Sequence, residues 1–165
     1  MTTMIRTFHE LLTEIRGPSY KTPKRLLSID PGETTGWALF VDGRLFDKGQ
    51  ISHRDLQEMS SAVHELFTIH RPTSVVVEDY KVYGAKAKTH SWSSLFTPKL
   101  LGAIEFICNF RKVPLVMQMA SSKQFCTDEK LKQWKYYGKA QPHANDAIRH
   151  GCYFLLFHKR RRKAK

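Results

Sequence analysis

The stretch LLSIDPGETTGWALF, Leu26–Phe40, begins as an apolar strand and closes that strand with a carboxylate. The leading residues LLSI are typical of a strand covered on both faces, and the Pro-Gly pair that follows predicts a turn. Asp30 therefore stands at the carboxyl end of the strand. A carboxylate there either opens the turn, by accepting hydrogen bonds from nearby backbone N–H groups, or belongs to a functional site. The segment alone leaves both interpretations open.

The same pattern occurs a second time. The valines Val75–Val77 predict another buried strand, which ends on Glu78. Between the two strands lies Asp55–His70, whose apolar residues share one helical face and whose first residue is suited to an N-cap. A strand, a helix and a strand predict two parallel strands joined by a right-handed crossover. Because neighbouring strands lie about 5 Å apart, Asp30 and Glu78 are expected at one sheet edge, where they repel each other unless a cation stands between them.

The other elements follow from turns and periodicity. An Asp-Gly pair at 42–43 separates two extended runs and predicts a hairpin, so the first three strands form an antiparallel meander. Residues 95–110 predict a helix, residues 113–119 a further buried strand, and residues from 121 onward short helices. The stretch QPHANDAIRHGCYFLLFHK, residues 141–159, predicts a terminal helix with a small and apolar stripe.

The N-terminal segment is an addition before the first strand. Ile5, Phe8, Leu12 and Ile15 have helical spacing and predict an amphipathic helix over residues 4–16. We expect its apolar stripe to pack on the protein's own core rather than on a partner subunit. The predicted division of the chain is an N-terminal helix and linker over residues 1–24, a central domain over 25–157 and a basic tail over 158–165.

The composition favours a nucleic-acid partner. The 165 residues carry a formal net charge of +12 with a sequence pI of about 9.8, and such an excess attracts polyanions over a long range. An anionic membrane surface is the alternative, but no apolar run approaches the roughly 20 residues of a membrane span. The N-terminus lacks the order of a secretory signal, and the three separated cysteines are typical of reduced core residues. We therefore expect a cytoplasmic protein without a membrane partner.

The terminal helix carries two further candidate site residues. His143 and Asp146 are three positions apart, which places both on one helical face. If this helix packs across the sheet edge, the two side chains form a cluster with Asp30 and Glu78. Three carboxylates and one imidazole suit Mg²⁺ or Mn²⁺, and two such ions can promote phosphodiester hydrolysis. Singly, each residue has an ordinary explanation: a salt bridge at a strand end for Glu78, a charge near the helix N-terminus for Asp146, and a cap or a core position for His143.

Four segments together resemble a known family. They are LLSIDPGETTGW, VVVEDY, LLGAIEFICNFRKVPLVMQMASSKQF and HANDAI, and in this order they are similar to the RuvC-type Holliday junction resolvases of the ribonuclease H-like superfamily. The resemblance covers Arg25–Leu156, and the small basic chain looks like the phage versions of the family. It implies an α/β fold in which a mixed five-stranded sheet of order 3-2-1-4-5 has helices on both faces.

The resemblance also implies an activity. The family consists of homodimeric, metal-dependent endonucleases that cut four-way DNA junctions by paired phosphodiester hydrolysis. It implies two Mg²⁺ ions, with Mn²⁺ as an alternative, held by Asp30, Glu78, His143 and Asp146. It further places Lys123 near the cleaved phosphate, makes residues 25–157 the nuclease domain, and suggests a bacterial cytoplasm, with a phage as the alternative origin. The N-terminal helix and a short Lys123–His143 segment depart from the family's pattern.

Basic and aromatic residues beside the predicted site are candidates for DNA contacts. The family has an aromatic residue that wedges into the junction just beyond its Glu, and here Lys81 stands at that position with a tyrosine on either side. Aromatic rings can stack on unpaired bases, whereas a basic loop is also typical of an ordinary solvated surface. The candidate nucleic-acid contacts are Tyr80, Lys81, Tyr83, Lys86 and Lys88 near the site, and Arg160, Arg161 and Arg162 in the tail, which would attract phosphates without reading sequence.

Other functions remain as alternatives. A sugar kinase or actin-like ATPase has a similar first phosphate loop, but it needs a second loop and two large lobes, which 165 residues cannot supply. Another ribonuclease H-like nuclease, acting on RNA–DNA hybrids or of the terminase type, would use a similar cluster. A non-catalytic junction-binding protein would not need to hold repelling carboxylates together. His150, one turn beyond Asp146, is expected to pack or to face solvent.

Overall fold

Five strands form one mixed sheet in a computed structural model of the chain, which describes residues 6–80 and 95–159. The spatial order is β3-β2-β1-β4-β5. The first three strands are antiparallel neighbours, and β4 and β5 run parallel to β1. This is the predicted sheet. The strands are β1 Arg25–Asp30, β2 Thr34–Val41, β3 Arg44–Ser52, β4 Ser74–Glu78 and β5 Leu115–Gln118.

Helices cover both faces of the sheet, as predicted. On one face, Leu26 and Val76 pack against α1 and α5, and on the other face Leu27 and Val75 pack against α2 and α3. Since successive strand residues point to opposite faces, a strand covered on both sides is apolar almost throughout, which explains the LLSI and VVV runs. The helices are α1 Phe8–Arg16, α2 Leu56–His70, α3 Phe96–Phe110, a 3₁₀ helix at Ala120–Phe125, α4 Asp128–Gln133 and α5 Pro142–Phe157.

The hairpin between β2 and β3 turns at the predicted Asp-Gly pair. Asp42 and Gly43 both have positive φ angles, 49° and 77°. A two-residue turn with both central residues in the left-handed region matches the twist of the two strands. The local sequence therefore sets the register that brings β3 beside β2.

The N-terminal helix packs on the protein's own core. A capping box between Thr7 and Glu10 begins α1. Phe8 and Leu12 are buried, and the Phe8 ring lies 5.1 Å from that of Trp134. The predicted packing is therefore confirmed for these two residues. It is wrong for Ile15, which is exposed, because in the last turn Arg16 makes the contact with the end of α5 by donating to the carbonyl oxygens of Leu155 and His158. Ile5 lies outside the described residues.

Two further sequence predictions bear on the environment of the chain. In the described ranges, no helix combines the length and the apolar character needed to cross a bilayer. Cys108, Cys126 and Cys152 are all buried free thiols, as predicted.

Candidate active site

The two strands that end on carboxylates are neighbours in the sheet. Ile29 of β1 pairs with Val77 of β4, so the next residue of each strand, Asp30 and Glu78, lies at the same sheet edge. Helix α5 packs across β2, β1 and β4 and brings its own polar residues to this edge. The arrangement predicted from the two strand ends and the terminal helix is the one that the chain adopts.

A close approach at Gly36 allows the start of α5 to reach the edge. Gly36 pairs with Asp30 across the β1–β2 ladder. A Cβ atom on Gly36 would lie only 1.9 Å from the backbone carbonyl oxygen of His143. The glycine is needed here because the helix backbone lies directly on the strand backbone.

Gln50 of β3 fixes the first turn of α5. Its side-chain carbonyl oxygen accepts hydrogen bonds from the backbone N–H groups of His143 at 2.9 Å and Ala144 at 3.3 Å. The first N–H groups of a helix have no partner within the helix, so the glutamine satisfies donors that would otherwise be unpaired. Gln50 was not found from the sequence, because only the sheet register places it beside the helix.

Substituting Gly36 by Ala should therefore disturb the site through the backbone. We expect the free energy of unfolding to fall by about 3 kcal/mol or more, since strand and helix must move apart to admit the methyl group. Urea denaturation measures the change. Gly102→Ala is the matched control, because no atom lies near the added methyl group, and a helical Gly→Ala change should stabilise by about 1 kcal/mol. A Gly36→Ala protein as stable as wild type would contradict this packing.

Asp30 is paired with His143. The Nδ1 atom of His143 lies 3.1 Å from Oδ2 of Asp30, and Asp30 is only 8% exposed. Burial, together with the nearby charge of Glu78, raises the pKa of Asp30 to about 6, although the hydrogen bond from His143 acts in the opposite direction. The carboxylate form of Asp30 is therefore costly unless a cation balances it.

Lys123 stands between the other two carboxylates. Its Nζ atom lies 3.0 Å from Oε2 of Glu78 and 3.0 Å from Oδ2 of Asp146. Burial alone would lower the pKa of Lys123, but the hydrogen bonds to Asp146 and Glu78 hold it above its usual value. The sequence led us to expect a cation between Asp30 and Glu78. Lys123, which the family resemblance placed near the cleaved phosphate, instead lies between Glu78 and Asp146.

Glu78 has a second basic partner that the sequence analysis missed. The Nε2 atom of His150 lies 2.7 Å from Oε2 of Glu78, and its Nδ1 atom lies 2.8 Å from Oε1 of Gln118. The sequence led us to expect that His150 either packs or faces solvent. It packs, and it does so inside the site. Burial would raise the pKa of Glu78, yet hydrogen bonds from His150 and Lys123 hold it below its usual range. The available signal was the i, i+4 spacing of Asp146 and His150.

Arg149 is the other missed residue. Its guanidinium donates to the carboxylates of Asp146 and Asp128, and its Nε donates to the carbonyl oxygen of Cys126 at 2.8 Å. The side chain is mostly buried. Asp146 is therefore held between two cations, Lys123 and Arg149.

The four predicted metal ligands, Asp30, Glu78, His143 and Asp146, lie at the same sheet edge. Glu78 and Asp146 share the ammonium group of Lys123, and Asp30 and Glu78 end neighbouring strands, so the three acids are close. Within residues 6–80 and 95–159, however, no three His, Cys, Asp or Glu side chains are arranged to hold a metal ion. Each of the three carboxylates is paired with a basic group, and the metal-ligand role predicted for them stays a prediction. Chemically, three carboxylates and the imidazole of His143 remain a donor set that fits Mg²⁺ or Mn²⁺.

Of the predicted DNA contacts, the structure describes Tyr80. Tyr80 follows the site acid by two residues and packs, partly buried, against the core formed with α2 and α3. The other candidates lie outside the described residues: Lys81, Tyr83, Lys86 and Lys88, and Arg160, Arg161 and Arg162.

Solved structures of junction resolvases have the same fold. Thermus thermophilus RuvC, in complex with a Holliday junction substrate, matches with a TM-score of 0.64 and 15% identity over 80% of this chain and 92% of that chain. The yeast mitochondrial Holliday junction resolvase Ydc2 matches with a TM-score of 0.56 and 11% identity over 90% and 84%. The fowlpox virus Holliday junction resolvase matches with a TM-score of 0.53 and 14% identity over 79% and 97%.

These likenesses bear out the predicted ribonuclease H-like fold, with its mixed sheet of order 3-2-1-4-5. No protein-family model and no curated protein sequence matches the chain.

Proposed function

We propose that this chain is a metal-dependent endonuclease of the RuvC type, which resolves four-way and other branched DNA junctions by paired phosphodiester hydrolysis. One observation carries the proposal: Asp30, Glu78 and Asp146 converge at one sheet edge around Lys123. The likeness of the fold to three junction resolvases supports it. The net charge of +12 supports a DNA substrate.

The proposed cofactor is a pair of Mg²⁺ ions, with Mn²⁺ as an alternative. Asp30, Glu78 and Asp146 would supply carboxylate oxygens and His143 an imidazole nitrogen. When bound, such ions lower the pKa of a coordinated water and balance negative charge on a phosphodiester. Burial and the charges of Glu78 and Asp146 raise the pKa of Asp30, so a cation bound at this edge would stabilise the carboxylate form of Asp30.

Lys123 is proposed to stabilise the phosphate that is cut. Its ammonium group is shared between Glu78 and Asp146 in the described structure. With these carboxylates balanced by other cations, Lys123 would be free to donate to a phosphate oxygen. A fixed positive charge beside the reacting phosphate stabilises the charge that develops in the transition state.

The remaining predictions also belong to the proposal. DNA would be bound by Tyr80, Lys81, Tyr83, Lys86 and Lys88 beside the site, and by the tail. A homodimer would supply the two sites that paired cutting requires. We also propose the division of the chain into residues 1–24, 25–157 and 158–165, with the nuclease activity in the central part. The proposed origin is a bacterium or a phage, and the proposed place of action is the cytoplasm.

Substrate choice tests the proposal. The protein is incubated with a synthetic four-way junction, a linear duplex and an RNA–DNA hybrid, in Mg²⁺ and in EDTA. We expect cleavage of the junction in preference to both other substrates, and only in Mg²⁺. Preferred cleavage of the hybrid would instead indicate another ribonuclease H-like nuclease, and junction binding without cleavage would indicate a non-catalytic binding protein.

The basic tail gives a separate prediction. Substituting Gln for the basic residues of the tail should weaken binding to junction and duplex by similar factors, because these residues attract phosphates without reading structure. The salt dependence should flatten, since each neutralised phosphate contributes about −0.9 to the log–log salt slope on duplex DNA. Binding titrations at several salt concentrations measure both effects. The substituted residues are Lys159, Arg160, Arg161, Arg162, Lys163 and Lys165.

Cleavage by the tail variant at saturating protein should equal that of wild type. A selective loss of junction preference would show that the tail recognises the junction, contrary to its assigned role.

A further inference from the structure

A completely buried imidazole lies beneath one of the proposed metal ligands. His150 of α5 is 0% exposed, and both of its ring nitrogens are hydrogen-bonded, Nε2 to Glu78 at 2.7 Å and Nδ1 to Gln118 at 2.8 Å. Resting on the function proposed above, we propose that His150 is a positioning residue: it holds the carboxylate of Glu78 in place for cation binding and does not itself contact substrate.

The hydrogen-bonding partners of His150 determine which ring nitrogen carries the proton that is directed at Glu78. An ionised carboxylate only accepts hydrogen bonds, so the hydrogen between His150 and Glu78 belongs to Nε2. If the ring is neutral, Nδ1 accepts from the amide group of Gln118; if it is cationic, Nδ1 donates to the amide oxygen. Both cases leave an Nε2–H donor directed at Glu78, so the role does not depend on the charge of the ring.

The ring itself cannot turn away. Gln118 ends β5 and is the register partner of Glu78 across the β4–β5 ladder. It is buried and holds the far side of the imidazole. Gln118 at the end of β5 therefore holds His150 of α5, and His150 in turn holds Glu78 at the end of β4. A donor fixed in this way removes rotamer freedom from Glu78 before any ligand arrives.

Glu78 has two donors with different tasks. Lys123 and His150 both contact Oε2, so neither occupies Oε1. The side chain of Lys123 is 28% exposed and divides its bonds between two carboxylates, whereas His150 is enclosed. When Lys123 transfers to a phosphate, His150 is the donor that stays. It keeps Glu78 oriented during the step in which the lysine is withdrawn.

Binding of Mn²⁺ to the metal-free protein tests the inference. His150→Leu keeps much of the volume but removes both ring nitrogens, and we expect calorimetry to show a 10- to 100-fold weaker Mn²⁺ affinity, about the cost of losing a group that orients a ligand. His150→Gln should recover most of the affinity, because its amide nitrogen can replace the Nε2 donor. Junction affinity should be unchanged in both variants.

His70 offers a matched control. It is also a buried histidine, but it lies at the end of α2 against Trp37, on the face of the sheet away from α5. His70→Leu should lower stability without changing Mn²⁺ affinity. An equal loss of affinity in the His70 variant, or an unchanged affinity in His150→Leu, would overturn the positioning role. If His150→Leu does not fold, Gln118→Leu must weaken Mn²⁺ binding, and wild-type affinity there would overturn it.

The same measurements separate this inference from the proposed function. A wild-type protein that binds Mn²⁺ but cuts no junction would refute the nuclease, while a weaker affinity in His150→Leu would still support the positioning role. A wild-type protein that binds no Mn²⁺ would overturn both.

Discussion

The Asp30→Asn protein should cut a four-way junction about a thousandfold more slowly than wild type, or not measurably, because the substitution removes a charge on which the cation site and transition-state stabilisation both depend. Asn retains the size of the side chain and an oxygen that can accept from Nδ1 of His143. Junction affinity should be retained, since the lost group is an anion that repels phosphate. Single-turnover cleavage and binding titrations measure the two effects.

The stability of the same variant provides its control. Because the pKa of Asp30 is raised to about 6 by burial and by Glu78, the folded protein holds this proton more tightly than the unfolded chain. The stability gained from protonated Asp30 is therefore present at low pH and is lost as pH rises from about 4 through about 6. Asn carries no charge, so the variant avoids the cost of a buried carboxylate at high pH. In EDTA at pH 8 its free energy of unfolding should exceed that of wild type by about 1–3 kcal/mol, with no difference near pH 4.

A stable Asp30→Asn protein that cuts at the wild-type rate would remove Asp30 from the site. A variant that is less stable than wild type at pH 8 would contradict the electrostatic account of the buried acid.

The Lys123→Ala protein should show opposite changes in two measurements. Cleavage within preformed junction complexes should fall about a hundredfold, because a positive charge beside the reacting phosphate is lost. Affinity for Mn²⁺ should rise, because the ammonium that is shared between Glu78 and Asp146 no longer competes for their oxygens. Single-turnover kinetics and calorimetry on the metal-free protein measure the two quantities.

Lys21→Ala is the control for loss of charge alone. Lys21 is an exposed lysine of the linker before β1, and its substitution by Ala removes the same formal charge as Lys123→Ala. It should change neither the rate in preformed complexes nor the Mn²⁺ affinity. A Lys123→Ala protein that behaves like this control would show that Lys123 is an ordinary surface lysine, and a fall in Mn²⁺ affinity would show that the lysine supports cation binding instead of competing with it.

The parts of the site that were predictable depend on local pattern. Two apolar strands that end on Asp30 and Glu78 must bring these residues to one edge once the strands are parallel neighbours. The spacing of His143 and Asp146 likewise fixes their shared helical face. Such patterns place residues to within one strand spacing, about 5 Å. Metal coordination depends on smaller distances, so the ligand role of these residues stays a prediction that metal binding must test.

The missed residues depend on how the elements pack. His150 and Arg149 reach the site only because of the rotation of α5 over the sheet, and Gln50 and Gln118 only because of the registers of β3 and β5. Apart from the i, i+4 spacing of Asp146 and His150, no periodicity in the chain marks these contacts. Lys123 was identified through the family resemblance, since a lysine that follows a strand is, by its sequence alone, an ordinary surface residue.

Cleavage of a supercoiled plasmid that extrudes a cruciform tests the central claim most directly. Paired cuts across the four-way junction convert the plasmid to its linear form, whereas unpaired nicks give open circles. We expect the wild-type protein in Mg²⁺ to produce linear molecules cut at the cruciform, and the Asp30→Asn protein to produce neither form. Equal cleavage of a plasmid without the cruciform, or linear product from the Asp30→Asn protein, would contradict the account.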